Sequence, residues 1–417
     1  MKLLLALGTA FALTSSATAA APPPRPVGLE IAVNDPGAPG RHSGPQPALF
    51  SDGGFVVVWT DTGQSGGAPK GAVHARFFHS DGTPSSGEFR LIAQSASSSV
   101  VTSVVADVDD SFLVAWDDTP PGKPTRVLVQ RFSRTGKPVR PAFQVHAVNP
   151  RDRSQGRIAL RPGGGFVVAW TAVDDFLTHA PDVPTPFYAF DVDARAFTAG
   201  GVPLSPEFVA RGGSDDQILS DVAVGPDGVI TVLYTFFDSE LYVLRLGRST
   251  LRGRQLGDAT RVSSEEQDLP VDVAALSAAP DGSFTVAWTP NNLRGEVLAR
   301  RFAAGGSPMT ADLAVDSYRQ GGQKLGHLAA LPDGGFVAVW TDNKGRDGSG
   351  TGIFGRPFGA DGQPLLPRDF RVNLTTAGDQ FAPVIVGRAG RYVVAWNQSG
   401  DTPQQPVKIR ARLLGGS

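Results

Sequence analysis

The chain has 417 residues, a net charge of −2 from 38 basic and 40 acidic side chains, and no cysteine. Disulfides, a thiolate nucleophile and Cys-ligated metal sites are therefore excluded, and the lack of a basic excess argues against a nucleic-acid binder. With 50 Gly, 34 Pro and an apolar share of 41%, the composition suits a large turn-rich β-protein better than a helical one.

In chain order, the first twenty residues read as an export signal. Lys2 supplies the positive start, Leu3 to Leu13 the apolar run, and Ala17-Thr18-Ala19-Ala20 the small-residue cleavage site, with cleavage expected after Ala19 or Ala20. The apolar run is too short to span a bilayer, and no long apolar stretch follows, so the expected location is periplasmic or extracellular with no membrane span. Residues 21–27 are Pro-rich and read as an extended lead-in. Residues 28–417 read as one domain.

That domain repeats. The string Gly54-Phe55-Val56-Val57-Val58-Trp59-Thr60 recurs with variation, and its aromatic anchors are Trp59, Trp116, Trp170, Tyr234, Trp288, Trp340 and Trp396. Their spacings of 57, 54, 64, 54, 52 and 56 residues define seven units. Each unit offers four strand-like runs, A to D, with A–B and C–D turns of the Asp-Gly kind, such as Pro332-Asp333-Gly334 and Ala360-Asp361-Gly362. Strand B is apolar on both faces, which places it inside a sheet packed between two other sheets. The predicted fold is an all-β seven-bladed β-propeller of four-stranded antiparallel blades. The last unit lacks its own strand D, and Leu29 to Asn34 resembles one, so the N-terminal strand is expected to complete blade 7 and close the ring without an exposed edge.

The pattern F-x-V-N, then D-G-G-F-V-V-x-W-T, then D-G-S-G-x-G-I is best carried by Trp340-Thr341-Asp342, Asp347-Gly348-Ser349-Gly350-Thr351-Gly352-Ile353 and Phe370-Arg371-Val372-Asn373. It resembles repeats of large secreted or surface-displayed bacterial proteins, often found beside haemolysin-type calcium-binding arrays. The nonapeptide array itself is missing here. The resemblance implies fold, export and a recognition context, and supplies no catalytic residue.

Short A–B and C–D turns leave the long B–C and D–A loops on the opposite face of the ring, and binding residues concentrate on such loops. A residue that recurs in every blade reads as structural, whereas a single binding site must break the sevenfold pattern. Two features break it: the long B–C loop of blade 3, with Asp174, Asp175 and His179, and an acidic cluster over blades 3 to 5, with Asp215, Asp216, Glu265, Glu266 and Asp268. These are the candidate binding residues. The recurring threonines after the anchors and the arginines of Arg76-Phe77, Arg131-Phe132 and Arg301-Phe302 read as structural. The recurring Gln217, Gln267, Gln323 and Gln380 are read as amides that satisfy loop backbone rather than a ligand.

No catalytic motif and no metal-ligand spacing is present in the sequence, so no catalytic or metal residues are assigned. Asp107-Val108-Asp109-Asp110 and Asp191-Val192-Asp193 offer weak calcium-loop acids without the rest of an EF-type loop. The expected function is a monomeric, non-enzymatic binding or scaffold protein that recognises a protein or a glycan through its long-loop face. The alternative is a carbohydrate-active hydrolase or lyase using the acids of blades 3 to 5.

Overall fold

The computed structural model describes residues 22–35, 41–62, 71–92, 97–148, 150–173, 190–211, 216–237, 242–263, 273–290, 295–318, 320–400 and 407–416. They form seven four-stranded antiparallel sheets, each in the order A-B-C-D. The innermost A strands are His42–Leu49, Ser98–Ala106, Arg153–Leu160, Gln217–Val224, Val273–Ala278, Gln323–Ala330 and Gln380–Arg388. D strands are short, often two residues, as in Phe89–Arg90 and Phe370–Arg371.

The ring closes as the sequence predicts. The N-terminal strand, Arg25–Ala32, pairs with Lys408–Gly415, and a bulge separates Val27↔Leu413 from Ile31↔Ala411. It starts earlier than expected, since Arg25 and Pro26, read as lead-in, already pair with Gly415 and Leu414.

Strand B shows why the apolar pattern needs both faces. In blade 1, Val56 and Val58 pack with Val101 and Phe112 of blade 2. Phe55, Val57 and Trp59 pack with Val393 and Ala395 of blade 7. All seven aromatic anchors are buried, with Trp116 and Tyr234 the most exposed at 2%. The indole N–H groups of Trp59, Trp170, Trp288, Trp340 and Trp396 have no acceptor among the described residues, so these rings act through shape and apolar area.

Most A–B turns are three-residue turns closed by a glycine in the left-handed region, as the Pro-Asp-Gly strings predict. Gly53, at φ 85°, donates to Phe50 O at 3.1 Å. In blade 2, Asp110 takes that position at φ 60°, a conformation L side chains rarely adopt.

Three polar staples repeat between blades. The first uses the residue after the anchor. Thr60, Thr171, Thr289 and Thr341 each accept a backbone N–H from the next blade's strand A, namely Val101, Leu219, Leu325 and Ala382, at 2.7–3.2 Å. Asp117 takes the same place in blade 2 and accepts from Gln155 at 2.9 Å. These N–H groups lie beside bulges in strand A, so the staple satisfies buried backbone that the ladder leaves open.

The second is an arginine of strand C. Arg76, Arg195, Arg356 and Arg412 reach the carbonyls of Val33, Val145, Val315 and Val372 in the preceding blade, at 2.8–3.4 Å. Strand register places Arg76, opposite Val57, with this set. It does not belong with Arg131 and Arg301, which sit one position further along, opposite Leu113 and Thr285. The sequence grouping of Arg76 with those two is one residue out, because Phe77-Phe78 offers two ways to align the aromatic. In blade 4 the arginine is replaced by Gly247, and Arg211 of blade 3 fills the space a Cβ would need.

The third is a carboxylate at strand D. Glu30, Glu88, Glu207 and Asp369 accept the N–H groups of Leu374, Asp35, Ala147 and Ser317 at 2.8–3.0 Å. The Asn of F-x-V-N ties strand D to strand C of its own blade, and Asn373 also donates to Gln380 of blade 7 at 3.0 Å. Asn34 and Asn373 accept the N–H of Ile409 and Ile353, at 2.7 and 2.8 Å.

Candidate functional site

Of the candidate binding residues, Asp174, Asp175, His179, Asp215, Glu265, Glu266 and Asp268 lie outside the described residues. Asp216 is half-buried beside strand A of blade 4, and its carbonyl accepts the Phe237 N–H at 2.9 Å. Of the recurring amides, Gln380 ties loop backbone, whereas Gln323 bonds a strand side chain. Gln323 donates to Asp342 at 2.9 Å, and Gln380 donates to Ala377 and Gly378 at 3.0 and 3.1 Å. Gln267 lies outside the described residues.

The acids considered for calcium are committed elsewhere. Asp107 accepts from Arg131 at 2.8 Å, Asp109 from Ser111 at 2.5 Å, and Asp110 from Ser51 at 2.6 Å, with Arg134 and Arg388 beside it. Asp191 and Asp193 are buried within strand C of blade 3. Among the described residues no three His, Asp or Glu side chains gather as a metal site.

One feature that sequence reasoning missed breaks the sevenfold pattern on the axis. Seven residues pair with the residue just before each anchor: Gln46, Ser103, Arg157, Asp221, Ala275, His327 and Val384. They share one level of the tunnel, and nearly every blade contributes a different residue type. Arg157 donates to Thr102 O of blade 2 and, at 3.2 Å, to Ser220 O of blade 4. Asp221 Oδ2 accepts the Leu276 N–H of blade 5 at 2.8 Å and lies 4.0 Å from His327 Nε2 of blade 6. Blades 4 and 6 are not neighbours, so this pair meets across the axis. His327 Nδ1 is 3.2 Å from Ile385 O of blade 7. A carbonyl can only accept, so Nδ1 is the donor in this contact. Burial holds the His327 imidazole below its usual pKa, with Asp221 opposing and Arg157 reinforcing.

Two residues further along each strand, on the same face, the side chains are small: Ala48, Val105, Ala159, Ala223, Ser277, Ala329 and Val386. A cavity on the axis is lined by Ala48, Val105, Ala159, Ala223, Ser277 and Val386 of this second level. Its volume is about 500 Å3 and its walls include Val104, Ile158, Val222 and Leu276. It opens on the short-turn face into a basin of about 510 Å3 edged by Pro162, Pro226, Pro280 and Pro332. Arg388 lines both and holds Leu49 O and Asp107 O at 3.3 and 3.2 Å.

A closed ring of seven antiparallel blades around such an axis defines a seven-bladed β-propeller. No known family's profile matches the chain, and no curated protein does. Among solved structures the chain is similar to a protein of unknown function from Dyadobacter fermentans, at 14% identity and TM-score 0.56, covering 95% of this chain and 100% of that one. It is also similar to a polysaccharide lyase, the PL25 ulvan lyase, at 11% identity and TM-score 0.52, covering 77% and 79%. A third is the endosialidase of phage phi92, at 10% identity and TM-score 0.51, covering 93% and 69%. At these identities the likeness is one of fold, which hosts many unrelated activities.

Proposed function

We propose that the protein is an exported, non-enzymatic β-propeller that recognises a protein or a glycan through its long-loop face, centred on blades 3 to 5. The observation that carries this reading is the employment of the described acids. Glu30, Glu88, Glu207 and Asp369 each accept backbone N–H groups from the preceding blade. Asp118 is held by Arg126 at 2.8 Å, and Arg346 joins Asp342 and Asp369 at 3.1 and 3.0 Å. Glycoside chemistry needs two carboxyls facing a cleft, one of them free to exchange a proton. Acids fixed as staples give a rigid frame for loops, which suits recognition.

The unbalanced charge of the loops over blades 3 to 5 supplies the direction, since an acidic patch steers a cationic or hydrogen-bonding partner. The test is capture of partners on a panel of extracellular glycans and proteins, with charge reversal at Asp215, Glu265 and Glu266. The reversed chain should melt normally and associate more slowly, the difference shrinking as salt rises. Turnover of a polysaccharide that is lost in Asp215→Asn or Glu265→Gln would replace this reading with the hydrolase or lyase alternative.

A further inference from the structure

At the rim of the short-turn face, beside the C–D turns of blades 2 and 3, lies a pocket of about 470 Å3. Its walls include Leu113, Val139, Phe143, Phe166 and Val202, and its only charged residues are Arg131 and Arg140. It is remote from the long loops, so a ligand there is independent of the loop-face reading. Two glycines of the blade 3 turn, Ala199-Gly200-Gly201, keep it open; Gly200 stands where blades 1 and 6 have Asp81 and Asp361. A Cβ on Gly201 would meet the Phe143 ring at 3.1 Å, so that ring seats against the turn backbone. A Cβ on Gly200 would lie 3.8 Å from Arg140 Nη2, so the Arg140 guanidinium reaches from blade 2 across to the turn of blade 3.

Arg140 also breaks the repeat. At its position in blades 1, 3 and 5, Ser86, Ser205 and Thr310 turn a hydroxyl inward and accept the strand C N–H of Phe77, Ala196 and Arg301, at 3.0–3.2 Å. Blade 2 has a long cation there instead. Arg140 is exposed and makes no ion pair and no side-chain hydrogen bond among the described residues. Arg131, by contrast, is spent on Asp107 and Ser111, at 2.8 and 2.5 Å. One uncompensated guanidinium at an apolar pocket calls for one carboxylate, whose two oxygens match its fork of donors. No carboxylate, amide or hydroxyl side chain lines the pocket, so it suits an alkyl body better than a sugar ring or a peptide backbone. Val139 and Val202 are 52% and 56% exposed, apolar surface that such a body would cover.

We propose that this pocket binds a medium-chain fatty acid, its carboxylate on the Arg140 guanidinium and its alkyl chain among Leu113, Val139, Phe143, Phe166 and Val202. The volume lies in the range of small-molecule sites. Burial of the chain supplies the affinity, and the charge pair selects the head group. Because Arg140 is exposed, the pair forms at the solvent edge and neither partner is fully desolvated.

The experiment is calorimetric titration of the full chain with octanoate, octan-1-ol and octylammonium, which share the chain and differ in the charge of the head. Octanoate should bind saturably and octan-1-ol about fivefold more weakly, the loss expected for one partly screened ion pair. Octylammonium should bind more weakly still. Arg140→Gln should bring octanoate down to the affinity of octan-1-ol and leave octan-1-ol unchanged. Gly200→Leu serves as a second variant: its φ lies outside the left-handed region, no atom comes closer than 3.8 Å to the new Cβ, and the side chain enters the pocket. It should abolish binding of both octanoate and octan-1-ol with an unchanged melting temperature. Absence of saturable octanoate binding would overturn the proposal. So would equal affinity for octan-1-ol or octylammonium, unchanged octanoate binding by Arg140→Gln, or full binding by a folded Gly200→Leu chain. Tighter binding of N-acetyl-alanyl-leucine than of octanoate would assign the pocket to a protein C-terminus and overturn it as well.

Discussion

Asp117 offers a sharp test of the staple between blades 2 and 3. Five other blades place threonine after the anchor, and in four of them its hydroxyl takes a neighbouring backbone N–H without bringing a charge. Asp117 plays the same part as a buried carboxylate, and burial raises its pKa to about 6, the N–H groups of Gln155 and Gly156 and the charge of Arg157 opposing. Its Oδ1 has no partner among the described residues. The unfolded chain titrates near 3.9, so the folded protein binds this proton more tightly. The stabilising contribution is therefore fully present below about pH 4 and is lost as pH rises through about 6. A shift of about two pKa units corresponds to about 3 kcal/mol lost by neutral pH. Replacing Asp117 by Thr keeps an acceptor and removes the charge, so about 1–3 kcal/mol should be regained at pH 7.5. With an unfolding entropy of about 2.1 cal/mol/K per residue, a gain of that size raises Tm by about 1–4 °C. Thermal melts from pH 4.5 to 8 read this directly: the variant should gain most at high pH and converge on the wild type at low pH. A variant that melts lower at pH 7.5, or two parallel pH profiles, would refute the reasoning.

Three further outcomes follow from the same architecture. Deleting residues 25–34 should destabilise the ring strongly by removing the closing strand and exposing the edge of blade 7, whereas deleting residues 21–23 should leave Tm nearly unchanged; thermal melts of both truncations check this. Thr289→Val should cost about 1–3 kcal/mol in denaturant unfolding, because the Leu325 N–H it serves at 2.7 Å stays buried without a partner. Trp340→Ala should cost about 3–5 kcal/mol, whereas Trp340→Phe should cost much less, since the indole N–H makes no hydrogen bond among the described residues; the same unfolding measurement compares them.

The blade count, the strand order and the closure were legible because strand B repeats an apolar string buried on both faces, and its anchors recur at nearly constant spacing. The turns were legible as well: the Asp-Gly pairs mark three-residue hairpins whose glycine takes the positive φ, as at Gly53 and Gly334. The axial belt was hidden. Arg157, Asp221 and His327 are far apart in sequence and sit in dissimilar local strings. They share a level only once the bulges at Ser154/Arg157, Leu219/Asp221 and Leu325/His327 have shifted the register of their strands. A bulge adds a residue without changing composition, so pattern reading cannot align the strands across it. The same one-residue uncertainty misplaced Arg76. The acidic cluster of blades 3 to 5 was visible as charge, and it breaks the repeat in the loops as the belt breaks it on the axis.

The most direct test of the central claim is a hydrogen-exchange footprint of the full chain with a captured glycan or protein partner. Recognition through the long-loop face predicts protection in residues 174–186, 212–217 and 264–272, with the blade strands unchanged. Protection confined to the Asp-Gly turns of the opposite face, around Asp227, Asp281 and Asp333, would contradict it.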